Sequence, residues 1–169
     1  SKEKESTPTD APSRADAMKK EIAKLEKEVL ENDQIADPNR ADQLVALYAS
    51  FAASFPKHEM AGDALFKGSS VAWGLAQLKG KDNQVNKGYA RKVVELSKTL
   101  IDNYPNDSNR YIAFYMLTDI LDFDLEEDDL AIEYYKKFMA EYPDRKDVQE
   151  TCKNRIENID VPLDSLIKG

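Results

Sequence analysis

Three prolines set the pattern. Counting back from Pro56, Pro105 and Pro143, the positions 12, 9, 5 and 1 residues earlier hold Leu44, Leu47, Phe51, Phe55; Val93, Leu96, Leu100, Tyr104; and Ala131, Tyr134, Phe138, Tyr142. All are apolar or aromatic, and spacings of 3, 4 and 4 put each set on one stripe of an α-helix. Proline cannot continue a helix and moves the residue before it out of the α region, so each aromatic-Pro pair predicts a helix end. The polar residues that follow start the next helix. Eight and twelve residues after each proline stand Ala64 and Gly68, Ala113 and Leu117, then Thr151 and Arg155. The first two sets are small or apolar and let helices approach closely; the third departs, as a terminal repeat does.

The rest of the chain follows the same logic. Residues 1–12 hold no large apolar side chain and read as a disordered leader or tether. Met18, Ile22, Leu25 and Val29 form a narrow apolar seam among lysines and glutamates, either half of a hairpin with the next helix or a short association seam between chains. Asp37-Pro38 reads as an N-cap and first helical position. Further helices are expected over about 59–78, 85–103, 108–122, up to 141, and 146–158, with a tail over 161–169. The result is one all-α domain over 13–160, about seven helices. Pro56 and Pro105 lie 49 residues apart but Pro105 and Pro143 only 38, and the extra 11 fit best between Gln77 and Lys87.

Composition narrows the function. At 169 residues the chain is long enough for one sizeable core. A net charge of −8 without a basic cluster argues against nucleic acid, which requires phosphate neutralisation. One cysteine, Cys152, and one histidine, His58, leave no disulfide, no multi-cysteine metal site and no catalytic triad. Cys152 reads as a small core residue and His58 as a surface or capping residue. The acidic stretch Asp122–Asp129 lacks the spacing and turn glycine of a calcium loop and reads as carboxylates at a helix start. No cofactor, no metal and no enzymatic activity are expected. No stretch approaches the roughly 20 apolar residues of a membrane span.

A pair of antiparallel helices repeated at 38 residues and closed as in Phe138-Met139-Ala140-Glu141-Tyr142-Pro143 resembles the tetratricopeptide repeat, and in its Tyr-Pro closure resembles the BamD-like lipoproteins and the YbgF-like Tol-Pal coordinators of the bacterial envelope. The resemblance covers about residues 38–158, with Lys67-Gly68 and Met116-Leu117 where the repeat usually has Leu-Gly. It implies a right-handed α-solenoid and a non-catalytic scaffold that binds a peptide segment or partner protein in a groove, in the periplasm or at the outer membrane. Ser1-Lys2-Glu3-Lys4-Glu5 would then follow a lipidated cysteine upstream. An oligomerising module and a cytoplasmic adaptor are the alternatives.

In this repeat class the post-proline helices line the concave side. Positions 6, 10, 13 and 17 after each proline hold Gly62, Phe66, Ser69, Trp73; Tyr111, Tyr115, Thr118, Asp122; and Gln149, Lys153, Ile156, Asp160. From these the expected partner-binding residues are Tyr111 and Tyr115, flanked by Arg110 and Asp119, with Trp73, Phe66 and Lys153. The simpler reading of Phe66 and Trp73 is that they fill space between hairpins.

Overall fold

The computed structural model describes residues 10–78, 82, 84–161 and 165. Within them run seven α-helices: α1 (Asp10–Val29), α2 (Pro38–Ser54), α3 (Ala61–Gln77), α4 (Lys87–Asn103), α5 (Arg110–Asp119), α6 (Asp128–Glu141) and α7 (Lys146–Glu157). Each helix packs on the next in chain order, as an all-α array of successive pairs. The expected tail beyond residue 161 and leader residues 1–9 fall outside the described residues, apart from Ser165. The leader boundary itself moves: α1 already starts at Asp10, with Pro12 in a first turn that needs no backbone donor.

The three aromatic-Pro turns are one structure used three times. Phe55, Tyr104 and Tyr142 end their helices at φ −131°, −126° and −122°, each donating its N–H four residues back. Each aromatic's carbonyl then accepts from the amide two residues past the proline: His58, Asp107 and Arg145, at 3.0, 3.1 and 3.2 Å. His58 does not cap α3, whose N-cap is Met60; it is half-buried and closes the turn before the helix, its Nδ1 accepting the Met60 N–H at 3.0 Å. The turns are also tied together. Tyr104 Oη donates to the Pro56 carbonyl at 2.9 Å, and Arg110 donates to the carbonyls of Ile101 and Tyr104 while pairing through two nitrogens with Glu141.

All twelve stripe residues point inward: Leu44, Phe51, Val93, Leu96, Leu100, Ala131, Tyr134 and Phe138 are buried, and Leu47, Phe55, Tyr104 and Tyr142 half-buried. Ala64, Gly68, Ala113 and Leu117 are buried against them. A Cβ on Gly68 would stand 3.1 Å from Tyr48 Cβ and 3.2 Å from Leu96 Cδ1, so the missing side chain is what lets α3 sit between α2 and α4. The α1 seam packs within the chain, with Ala15, Ile22, Leu25 and Val29 buried and Met18 half-buried.

Two elements were not expected. Between α1 and α2, β1 (Leu30–Glu31) and β2 (Gln34–Ile35) form a tight hairpin through Asn32 and Asp33, both with positive φ of 50° and 61°. After α5 the chain widens into a π-helical segment, Ile120–Asp124, with the Leu125 N–H on the Ile120 carbonyl at 2.9 Å. It accounts for the longer helix expected over 108–122. The extra 11 residues are spread more widely than expected: nine residues separate α3 from α4 where three separate the π-helical segment from α6, and α3 and α4 are also longer than their counterparts.

Candidate functional site

The candidate site is the face shared by α1, α3, α5 and α7. Its register runs 10, 14 and 18 residues after the proline: Phe66, Ser70 and Gly74 on α3, then Tyr115, Asp119 and Phe123 along α5 and the π-helical segment. Ile112 and Trp73 complete it. Of the expected positions 6, 10, 13 and 17, position 10 lies on this face in both α3 and α5, position 13 is buried in both, and positions 6 and 17 are split, with Tyr111 and Trp73 half-buried. Gly62, Ser69, Thr118 and Asp122 are buried. Ser69 Oγ meets Ser97 Oγ of α4 at 2.7 Å, and Thr118 Oγ1 returns to the Phe114 carbonyl at 2.9 Å. Steps of 4, 3 and 4 do hold one stripe of a helix turning 3.6 residues, so the error is one of phase: the expected stripe is rotated toward the interior, and a shift of one residue, about 100°, separates Ser69 from Ser70 and Thr118 from Asp119.

Two hollows lie on this face. The larger, about 830 Å³, opens between the end of α1, the β-hairpin and α3, with Phe66, Lys67, Ser70 and Ile35 among its walls. Ile35 packs over Gly74, where a Cβ would come 2.8 Å from Ile35 Cδ1. On its rim Tyr48 donates its hydroxyl to Glu26, and Lys67 Nζ reaches Asp63 at 3.3 Å and Glu26 at 3.5 Å. Burial, with the Glu26 charge beside it, pushes the Tyr48 phenol upward. The smaller hollow, about 340 Å³, lies between α5 and α7. On the α3–α5 side of this face Trp73 and Tyr115 stand together, ring centroids 6.0 Å apart and tilted by 38°.

The expected binding residues divide sharply. Tyr115 is 53% exposed on this face, and Ile112 is 46% exposed. Phe66 and Trp73 are half-buried and reach the hollow and the aromatic pair respectively. Asp119 is half-buried at the smaller hollow, its carboxyl pushed up to about 6 by burial and by the charges of Asp124 and Asp122. Tyr111 is largely structural: its ring meets Phe138 and Tyr142 edge-on at 5.4 Å, and the Arg145 guanidinium lies 4.6 Å from its centroid. Arg110, expected beside a bound segment, is only 8% exposed, with its donors used on Glu141 and two carbonyls. It ties turns together. Lys153 is exposed on α7 but does not line the hollow, to which α7 turns Asp147, Val148, Thr151, Cys152 and Arg155. Gln149 also serves the fold, donating to the carbonyls of Met139 and Tyr142.

Sequence reasoning missed Ile112, Ser70, Phe123 and the β-hairpin that walls the larger hollow. The signal for the hairpin was present in Asn32-Asp33, two residue types that tolerate positive φ at adjacent positions. The ion pair between Asp122 and Arg155, with Nε and Nη2 on the carboxylate at 2.7 and 2.8 Å and Tyr135 Oη donating at 2.7 Å, was also unforeseen.

No protein-family model, curated protein or solved structure matches the chain.

Proposed function

We propose that this chain is a non-catalytic scaffold of the bacterial envelope, a right-handed solenoid of tetratricopeptide-like hairpins that binds an extended segment of a partner protein along the face of α1, α3, α5 and α7. The observation that carries the reading is Tyr115: a large ring 53% exposed, standing against Trp73 on a face with two hollows. Aromatic rings with a polar edge give a bound segment contact area at low entropic cost, and binding energy concentrates on such anchors. The larger hollow offers a second anchor point at Phe66 with polar groups on its rim.

The absence of catalysis is part of the proposal. Its support is that the reactive residue types serve the fold: His58 stands edge-on to Phe51 at 5.1 Å, and Cys152 is buried with its thiol pushed up to about 11 by that burial. Among the described residues no group of three or more His, Cys, Asp or Glu side chains could hold a metal ion, and no helix is long and apolar enough to cross a membrane. The envelope setting, and a lipid tether upstream of Ser1, rest on the likeness of the Tyr-Pro-closed units to BamD-like and YbgF-like proteins.

A displayed library of random peptides tests the groove. Immobilised wild-type protein should enrich a family of sequences that Tyr115→Ala and Tyr115→Glu variants, still helical by circular dichroism, fail to retain. Equal recovery on all three baits would remove this face as the binding surface.

A further inference from the structure

The smaller hollow has rings for walls and, among the described residues, one carboxylate without a partner. Tyr111, Tyr115 and Phe123 supply the rings. The charges around it cancel in pairs: Arg155 on α7 holds Asp122, to which Tyr135 of α6 also donates, and Arg145 holds Asp147 at 2.7 Å. Asp124 takes the Gln77 amide of α3 at 3.0 Å. Asp119 is left over. Among the described residues it makes neither an ion pair nor a side-chain hydrogen bond, although it is half-buried and faces the negative charges of Asp122 and Asp124.

Resting on the groove reading above, we propose that this hollow receives a basic side chain, a lysine or arginine of the bound segment, with its charged head on Asp119 and its stem against Tyr115 and Phe123. The charge balance selects the occupant. An apolar side chain would desolvate the Asp119 carboxylate and give it nothing in return, and an acidic one would meet Asp119 and Asp124. A cation neutralises the site and gains from the ring faces as well. The Phe123 ring already shows this compatibility, for the Arg155 guanidinium sits 4.9 Å from its centroid. A volume of about 340 Å³ suits one long side chain rather than a folded element.

Trp73, the single tryptophan of the chain, stands beside Tyr115 and reports on the site by its emission. Blocked tripeptides Gly-Lys-Gly and Gly-Arg-Gly should give saturable changes at pH 7.5, and the isosteric Gly-norleucine-Gly none. Moving from pH 7.5 to 5 should weaken binding about ten-fold, as a carboxyl titrating near 6 loses most of its charge. Asp119→Asn should lose a comparable amount of affinity at pH 7.5, with no remaining pH dependence and a melting temperature no lower than wild type. Equal binding of the norleucine peptide, unaltered binding by Asp119→Asn, or no saturable response to either basic peptide overturns the proposal. The displayed-peptide selection separates this failure from that of the groove. Tyr115-dependent peptides lacking a basic residue would sink the cation pocket alone; no Tyr115-dependent peptides at all would sink both.

Discussion

The chain joins successive hairpins in two physically different ways. Around α3 the joints are made by what is missing: Ala61, Ala64, Gly68, Ala72 and Ala76 are buried and let backbones close on Tyr48, Phe51, Leu96 and Leu100. Around α5, α6 and α7 the joints are made by long side chains. Phe114 and Phe138 stack at 5.1 Å with planes 3° apart, Tyr111 and Tyr142 pack edge-on, and Arg110–Glu141 and Arg155–Asp122 span the gaps. One repeat frame therefore tolerates both a tight backbone approach and a wider interface filled by rings and buried charge. The position twelve residues past each proline shows the change: Gly68, then Leu117, then Arg155, which reaches back to Asp122.

The largest expected effects test the wide joints. Phe138→Ala should cost about 3–5 kcal/mol in denaturant melts, because it empties the centre of a four-ring cluster. Asp122→Ala should cost about 3–5 kcal/mol by stranding Arg155, whereas Asp122→Leu with Arg155→Met should restore most of that loss. If the single and double variants are equally unstable, the pair is not the fastener of α7. On the tight side, Gly68→Val should cost about 1–3 kcal/mol through overpacking against Tyr48 and Leu96. A neutral Gly68→Val would show that the small-residue joint has slack.

The contrast between the two tyrosines of α5 is smaller and more informative. Tyr111→Ala should lower stability by about 1–3 kcal/mol, since its ring belongs to the cluster, while Tyr115→Ala should change it by less than about 0.5 kcal/mol. The pair of alanines would thus destabilise, and the single Tyr115 variant is the clean probe of the face.

The remaining effect is conditional on pH. The Asp119 carboxyl is raised from 3.8 to about 6 in the folded chain, so the folded state holds its proton more tightly than the unfolded state. Its contribution is favourable below pH 4 and is lost as pH rises through 4 to 6. Asp119→Asn should therefore stabilise the protein at pH 7, by about 1–3 kcal/mol, and the gain should vanish at pH 4. A stability gain that persists unchanged at pH 4 would mean that burial of the charge is not its cause.

The fold was more legible than the site for a definite reason. Each aromatic-Pro turn writes its position into the sequence through a residue that cannot donate and a ring that fills the gap, so the helix ends at 103, 141 and within one residue at 54 could be read directly. The face required a phase accurate to a single residue, and one residue on a helix is 100°. That is why the expected register runs through the buried Ser69 and Thr118 while Ser70 lines the face, and why Asp119 enters the expectation only as a flank of Tyr115 and not as part of the register. Arg110 and Tyr111 misled for another reason. A charged or aromatic residue just past a turn looks the same in sequence whether it meets a partner or the neighbouring repeat, and only the position of Glu141 and Tyr142 in space distinguishes the two.

The three equivalent turns also divide the molecule into a constant end and a variable end. The aromatic-Pro end repeats its hydrogen bonds and is stitched from one unit to the next through Tyr104, Pro56 and Arg110. At the opposite end the connections take whatever form their sequences dictate: a two-residue hairpin turn, a nine-residue connection, or a π-helical segment closed by Glu126 at φ 54°. That end is where new chain can be grafted. Doubling the α3–α4 connection costs only about 0.6 kcal/mol of closure entropy, so a recognition loop inserted beside Asp82 would ride on an unchanged frame, whereas the same insertion beside Pro105 would unstitch two repeats at once.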